Sequence, residues 1–235
     1  GPGAFMKTPE RAEELARSLV STGTAMGKRI VGVITGMTEP LGLKVGNFFE
    51  VEETMDCLEG FGPEDLMEVT YRLGAWMLVL GGVAKGIAEG ERLCRKAIRS
   101  GIAKELFLAN VRSQGGSVER LLELRGKLRA AASYELLAAS AGYIAGIDAY
   151  KIGLAGVYLG VGRDKTTDPV YPDVGFILEK KRGAQVAAGE RIATVYGADA
   201  AALESAKGLV ASAYAYSTSP PPQAEPLIIK EISAI

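Results

Sequence analysis

The chain has 235 residues, 48% of them hydrophobic and 23% charged, and 27 basic against 28 acidic side chains leave a net charge of −1. That balance reads as a soluble globular protein with a sizeable core, and it excludes the electrostatic footprint of a nucleic-acid or membrane-surface binder. Histidine is absent, which excludes Ser-His and Cys-His nucleophile pairs, imidazole zinc sites and the side chain best suited to proton transfer near neutral pH.

The first segment, GPGAFMKTPERAEELA, places a glycine-rich turn directly before a helix start. Terminal residues of a domain usually carry no function, so two expectations stand: an idle leader, or a loop entered in its middle. Thr8 suits an N-cap, Pro9 the first helical position and Glu10 the positive end of the helix dipole. Ala12, Leu15, Ala16, Leu19 and Val20 recur at helical spacing and run out at the glycines 23–27. RIVGVIT, residues 29–35, is short, apolar and β-branched, as a strand buried on both faces of a parallel sheet would be.

A helix is predicted over 47–58, and GFGPEDL restarts another with Pro63 at its head and a core-facing stripe of Leu66, Val69, Leu73, Met77 and Leu80. Helical patterns follow over 89–100 and 103–113. The longest apolar run, WMLVLGGVA at 76–84, falls short of the roughly 20 residues that span a bilayer. No charged-then-apolar leader opens the chain, and Cys57 and Cys94 lie at neither metal-ligand nor redox spacing. A cytoplasmic protein with free thiols is expected.

From YELLAASAGYIAGIDA, beginning at Tyr134, the texture changes to short alternating strands with glycines, with a short helix over 150–160, a strand-turn-strand over 174–197, a helix over 200–214 and a closing strand at 225–233. A boundary is placed near residue 113, at SQGGS, giving domains 1–113 and 114–235. The fold class expected is α/β, followed by a smaller C-terminal α+β domain.

Ligands of open α/β sheets gather beyond the carboxyl ends of strands, which points to TGMTEPLGLKVGNFFEVEE, residues 35–53. Gly42 and Gly46 would let backbone approach a ligand. There is no Gly-Lys-Ser/Thr for phosphate, and the carboxylates Glu50, Glu52 and Glu53 would repel one. Loop carbonyls with a glutamate make a hard oxygen site for a cation, although spacing alone reads the three glutamates as a solvated helix face. Phe5 and Met6 read by default as core residues, and GVGR at 160–163 is too short for a dinucleotide fingerprint.

GPGAFMKT (1–8), ITGMTEPLGLKVGNFFEVEE (34–53), GFGPEDL (60–66) and GVGRDKTTD with VGFILEKKRGAQVAAGERIATVY (160–196) together resemble the back half of the pyrimidine-nucleoside phosphorylase, or thymidine phosphorylase, family. The resemblance implies a pentosyltransferase of nucleoside salvage: pyrimidine nucleoside plus phosphate gives free base and α-pentose 1-phosphate. It implies a homodimer when intact, with this portion monomeric. Phe5 matches a phenylalanine that lines the pyrimidine pocket, with Met6 beside it. Leu41, Lys44 and Glu53 match a monovalent-cation site, for potassium, in which the first two lend carbonyls and the glutamate its side chain. Lys44 stands where the family commonly has a small residue, so its ammonium is expected to fold back as an alternative to the ion.

The family's phosphate loop, its histidine and the Arg, Ser and Lys that grip the base have no matching position, and no catalytic residue is carried over. The chain is therefore expected to be a fragment, inactive alone, with an unpaired sheet edge or an open apolar face. Two rivals stand beside this reading: a noncatalytic module of the same fold, and a phosphorylase of nucleoside monophosphates. The strands over 174–196 also resemble biotinyl carriers, but the turn KRGAQ lacks the lysine-methionine pair of a carrier, which favours a structural module.

Overall fold

The structure is a computed structural model that describes residues 1–163 and 165–233. In chain order its elements are α1 (Pro9–Ala25), β1 (Val31–Thr35), β2 (Lys44–Val45), α2 (Asn47–Leu58), α3 (Glu64–Leu80), α4 (Ile87–Arg99), α5 (Ile102–Ser113), α6 (Val118–Leu124), β3 (Ala132–Leu137), β4 (Gly142–Ile147), α7 (Ala149–Leu159), β5 (Gly175–Leu178), β6 (Gln185–Val186), β7 (Arg191–Gly197), α8 (Ala200–Ala213), β8 (Tyr214–Ser217) and β9 (Ile228–Ser233). This is an α/β fold with an antiparallel α+β region toward the C-terminal side. No described helix is long and apolar enough to cross a membrane.

Packing divides the chain into two interleaved units, one of residues 1–37, 57–107 and 224–235, the other of 38–56 and 108–223. The chain passes between these units four times, after residues 37, 56, 107 and 223. The physical cause of this interleaving is strand pairing, because β9 pairs with β1 and β2 pairs with β5.

In the first unit Thr8 caps α1, its hydroxyl accepting from the Arg11 N–H, and Val20 packs with Ile34 and Ile232. The parallel sheet expected for residues 29–35 is not found: β1 runs antiparallel to β9, from Val31 opposite Ser233 to Thr35 opposite Ile228. Among the described residues β1 has no second strand beside it. Glu231 of β9 accepts from Arg72 Nη1 at 3.0 Å and Trp76 Nε1 at 2.8 Å, tying α3 to this pair.

The stripe expected on α3 is also rotated. Leu73 and Met77 are exposed, while Met67 and Ala75 are buried. Small residues set the rotation, since a Cβ on Gly90 of α4 would stand 2.7 Å from the Ala75 Cα, so the two helices touch backbone to backbone.

In the second unit β2-β5-β7-β3 form one antiparallel sheet and β6-β4-β8 another. Ile144, Leu159, Phe176, Ile192, Val195 and Val210 belong to the core that the sheets share with α7 and α8. Asp148 and Asp199 cap those helices by accepting from the Lys151 and Ala202 N–H groups.

Candidate functional site

Phe5 and Met6 lie in the first unit, on a turn in which the Ala4 N–H donates to the Gly1 carbonyl at 3.0 Å. The default reading of Phe5 as a core residue fails, because its side chain is 90% exposed. It stands with Met6 at an open trough of about 400 Å³ whose other walls include Leu15 and Leu19 of α1, Val31 and Val33 of β1, and Met37. The wall is apolar and lies along α1 and β1, a strand whose one partner among the described residues is β9. An exposed ring at the lip of an apolar concavity is suited to stack on a flat ligand.

The loop 38–46 and helix α2 lie in the second unit. The three glutamates expected on a solvated face part company. Glu50 is exposed and accepts from the Gly46 N–H at 3.2 Å, closing the start of α2. Glu52 is 1% exposed. Its Oε1 accepts from Arg129 Nη1 at 3.0 Å and the Gly126 N–H at 2.7 Å, and its Oε2 accepts from Arg129 Nη2 at 2.7 Å. The Arg129 guanidinium lies 4.3 Å from the Phe49 ring centre, and that ring meets Tyr196 at 5.4 Å. This forked, aromatic-stacked pair gives the buried carboxylate the opposite charge and the hydrogen bonds that burial would otherwise cost it.

Glu53 is buried too and accepts from the Leu43 N–H at 2.7 Å. It packs on Gly42, where a Cβ would meet Glu53 Oε2 at 2.2 Å and the φ of +75° already favours glycine. Gly46 makes a similar contact with backbone: a Cβ there would be 2.5 Å from the Val174 carbonyl oxygen. Both glycines therefore serve internal packing.

Lys44 does not fold back on the loop. Its ammonium donates to Asp56 Oδ2 at 2.7 Å and lies 3.8 Å from Glu52 Oε2, while Arg125 donates to the other Asp56 oxygen at 2.6 Å. Leu41 is partly exposed at the turn. The ammonium that does reach the loop comes from Lys181, which donates to the Pro40 carbonyl at 2.7 Å and the Gly42 carbonyl at 3.0 Å. Beside it Arg182 donates to Glu39 at 3.1 Å and to the Ala145 carbonyl at 2.6 Å. Both belong to the turn KRGAQ, which the sequence reads as part of a structural module and not as a carrier hairpin. The doubled basic residues on a tight turn were the available signal, but nothing local says which loop they hold.

Burial pushes the Asp56 carboxyl up, but hydrogen bonds and charge from Lys44 and Arg125 outweigh it and hold the group below the ordinary aspartate value of 3.8. A carboxylate lowered by folding contributes stability above its unfolded pKa and loses it as pH falls through the folded one. We expect D56N to lower Tm by roughly 2–4 °C at pH 7, about 1 kcal/mol for a partly exposed pair. That difference should shrink as pH drops below about 4, and thermal melts of both proteins from neutral pH to about 3 measure it.

The antiparallel region over residues 143–217 matches the pyrimidine nucleoside phosphorylase C-terminal domain, which defines the class to which the second unit belongs. The chain is 39% identical over 196 residues to the pyrimidine-nucleoside phosphorylase of Staphylococcus haemolyticus (strain JCSC1435), and 38% identical over 197 residues to that of Staphylococcus aureus (strain USA300). Each match covers 83% of this chain and 45% of the relative, so the chain spans about half the length of the curated relatives it matches. The chain belongs to the pyrimidine-nucleoside phosphorylase family.

Proposed function

We propose that this chain is part of a pyrimidine-nucleoside phosphorylase, and that the whole polypeptide cleaves a pyrimidine nucleoside with phosphate to the free base and an α-pentose 1-phosphate. The observation that carries the reading is the similarity to enzymes of that name, over a stretch including the C-terminal domain of the family. The chain's own contribution is Phe5, which stacks on the pyrimidine, with Met6 as the adjoining wall; together they exclude water from one side of the base. The groups that hold phosphate and protonate or polarise the base belong to the remainder of the polypeptide. The one-sided pairing of β1 and the open trough beside it support that division of labour.

The test is phosphate-dependent release of uracil or thymine. We expect none from the 235-residue chain by itself, and release from a polypeptide that joins it to the portion of its relatives that it does not cover. Uridine should react and its 5′-monophosphate should not; the reverse preference would favour a nucleotide phosphorylase. In the active polypeptide F5A should raise KM for the nucleoside about tenfold to a hundredfold, the value of one lost base-aromatic stack at about 1–3 kcal/mol. KM for phosphate should stay unchanged, and equal rises in both would overturn the stacking role.

A further inference from the structure

Negative potential gathers at residues 40–42 from two carbonyls and one carboxylate. Pro40 and Gly42 turn their oxygens to one point, and the buried Glu53 carboxylate packs on the Cα of the same Gly42. A carboxylate withdrawn from water needs positive charge and hydrogen bonds beside it. The Leu43 N–H supplies one such bond, at 2.7 Å. The residues matched to a potassium site fit a separate ion poorly. The Pro40 and Gly42 carbonyls already converge on a charged group, the Lys181 ammonium. The Lys44 side chain is committed to Asp56, and a second monovalent cation at this loop would sit beside an ammonium and be repelled by it.

The geometry points to Lys181 as the chain's own cation at this loop, a positioning residue that takes the place of a bound monovalent metal ion. Its ammonium carries the same single charge as potassium and takes the same kind of oxygen ligands with three donors. It is delivered by a turn that is itself fixed, since the neighbouring Arg182 is held by Glu39 and the Ala145 carbonyl. A tethered cation needs no ion from solution, so the loop keeps its shape whatever the salt. This inference is independent of the reaction proposed above.

The experiment is thermal unfolding of the 235-residue chain in potassium chloride against tetramethylammonium chloride, both at about 0.1 M so that screening is matched. The wild type should melt within about 1 °C of the same temperature in the two salts. K181M should melt lower in tetramethylammonium and recover by about 4 °C or more in potassium, as the vacated oxygens take the ion. K181R, which keeps the charge, should remain indifferent to the salt. If K181M does not fold, K181Q carries the same reading with the hydrogen-bonding length retained. A wild type stabilised by potassium to that extent, or an uncharged variant blind to it, overturns the inference.

Discussion

Replacing Glu52 by alanine is expected to destabilise the chain by about 3–5 kcal/mol, which lowers Tm by roughly 10 °C or more. The size follows from what remains behind. Arg129 has both of its terminal nitrogens on that carboxylate and sits over the Phe49 ring, so truncation leaves a largely buried guanidinium without this counter-charge. The Gly126 N–H loses its acceptor as well. Removing both charges together is a different experiment: E52L with R129M exchanges a paired charge for packed hydrocarbon, and it should recover most of the loss. E50Q, on the exposed side of the same helix, should shift stability by no more than about 0.5 kcal/mol. A double variant as unstable as E52A would show that the geometry of the pair matters beyond the balance of charge.

Gly175→Ala is expected to be nearly as severe, at about 3 kcal/mol or more, and its damage should be local. Gly175 has a φ of +148°, and a Cβ there would lie 2.1 Å from the Val45 carbonyl oxygen and 3.1 Å from the Gly46 Cα. Neither neighbour is a side chain that can swing aside, so the backbones of β2 and β5 must separate. The two pairs that join those strands, Lys44 with Ile177 and Val45 with Phe176, would be lost while β5, β7 and β3 stay paired. Hydrogen exchange should therefore accelerate at residues 43–46 and stay slow in β7. Gly183→Ala is the matched control. It also has a positive φ, +86°, but open space around the new methyl group, and should cost about 1–2 kcal/mol.

Much of the helical structure was legible because its signals are local. Thr8, Pro9 and Glu10 mark the start of α1, and α2 occupies the predicted residues 47–58. What spacing could not reach was anything whose partner is remote in sequence. Glu52 looks like its neighbour Glu50 until Arg129, 77 residues on, comes to meet it. Lys181 reaches the Pro40 carbonyl across 141 residues. The direction of β1 was misread for the same reason, since an apolar β-branched run carries no mark of whether its neighbour is parallel or antiparallel. On α3 the hydrophobic stripe pointed one way while a glycine-alanine contact, nearly invisible to hydrophobicity, turned the helix another. The resemblance singled out Phe5, and the structure places that ring at an open trough, where composition had it in the core.

The pairing of β1 with β9 also sets an order of events. Val31 meets Ser233 across about 200 residues, and bringing such distant segments together forfeits chain entropy before any contact repays it. The first unit cannot acquire its sheet until residues 228–233 have been synthesised, whereas the strands and helices of residues 132–217 are nearer neighbours along the chain. On a translating ribosome the strand at 31–35 must wait for its β9 partner while the residues between them are made. The interval during which this protein is open to misassociation or to capture by chaperones is thus set by its last described strand.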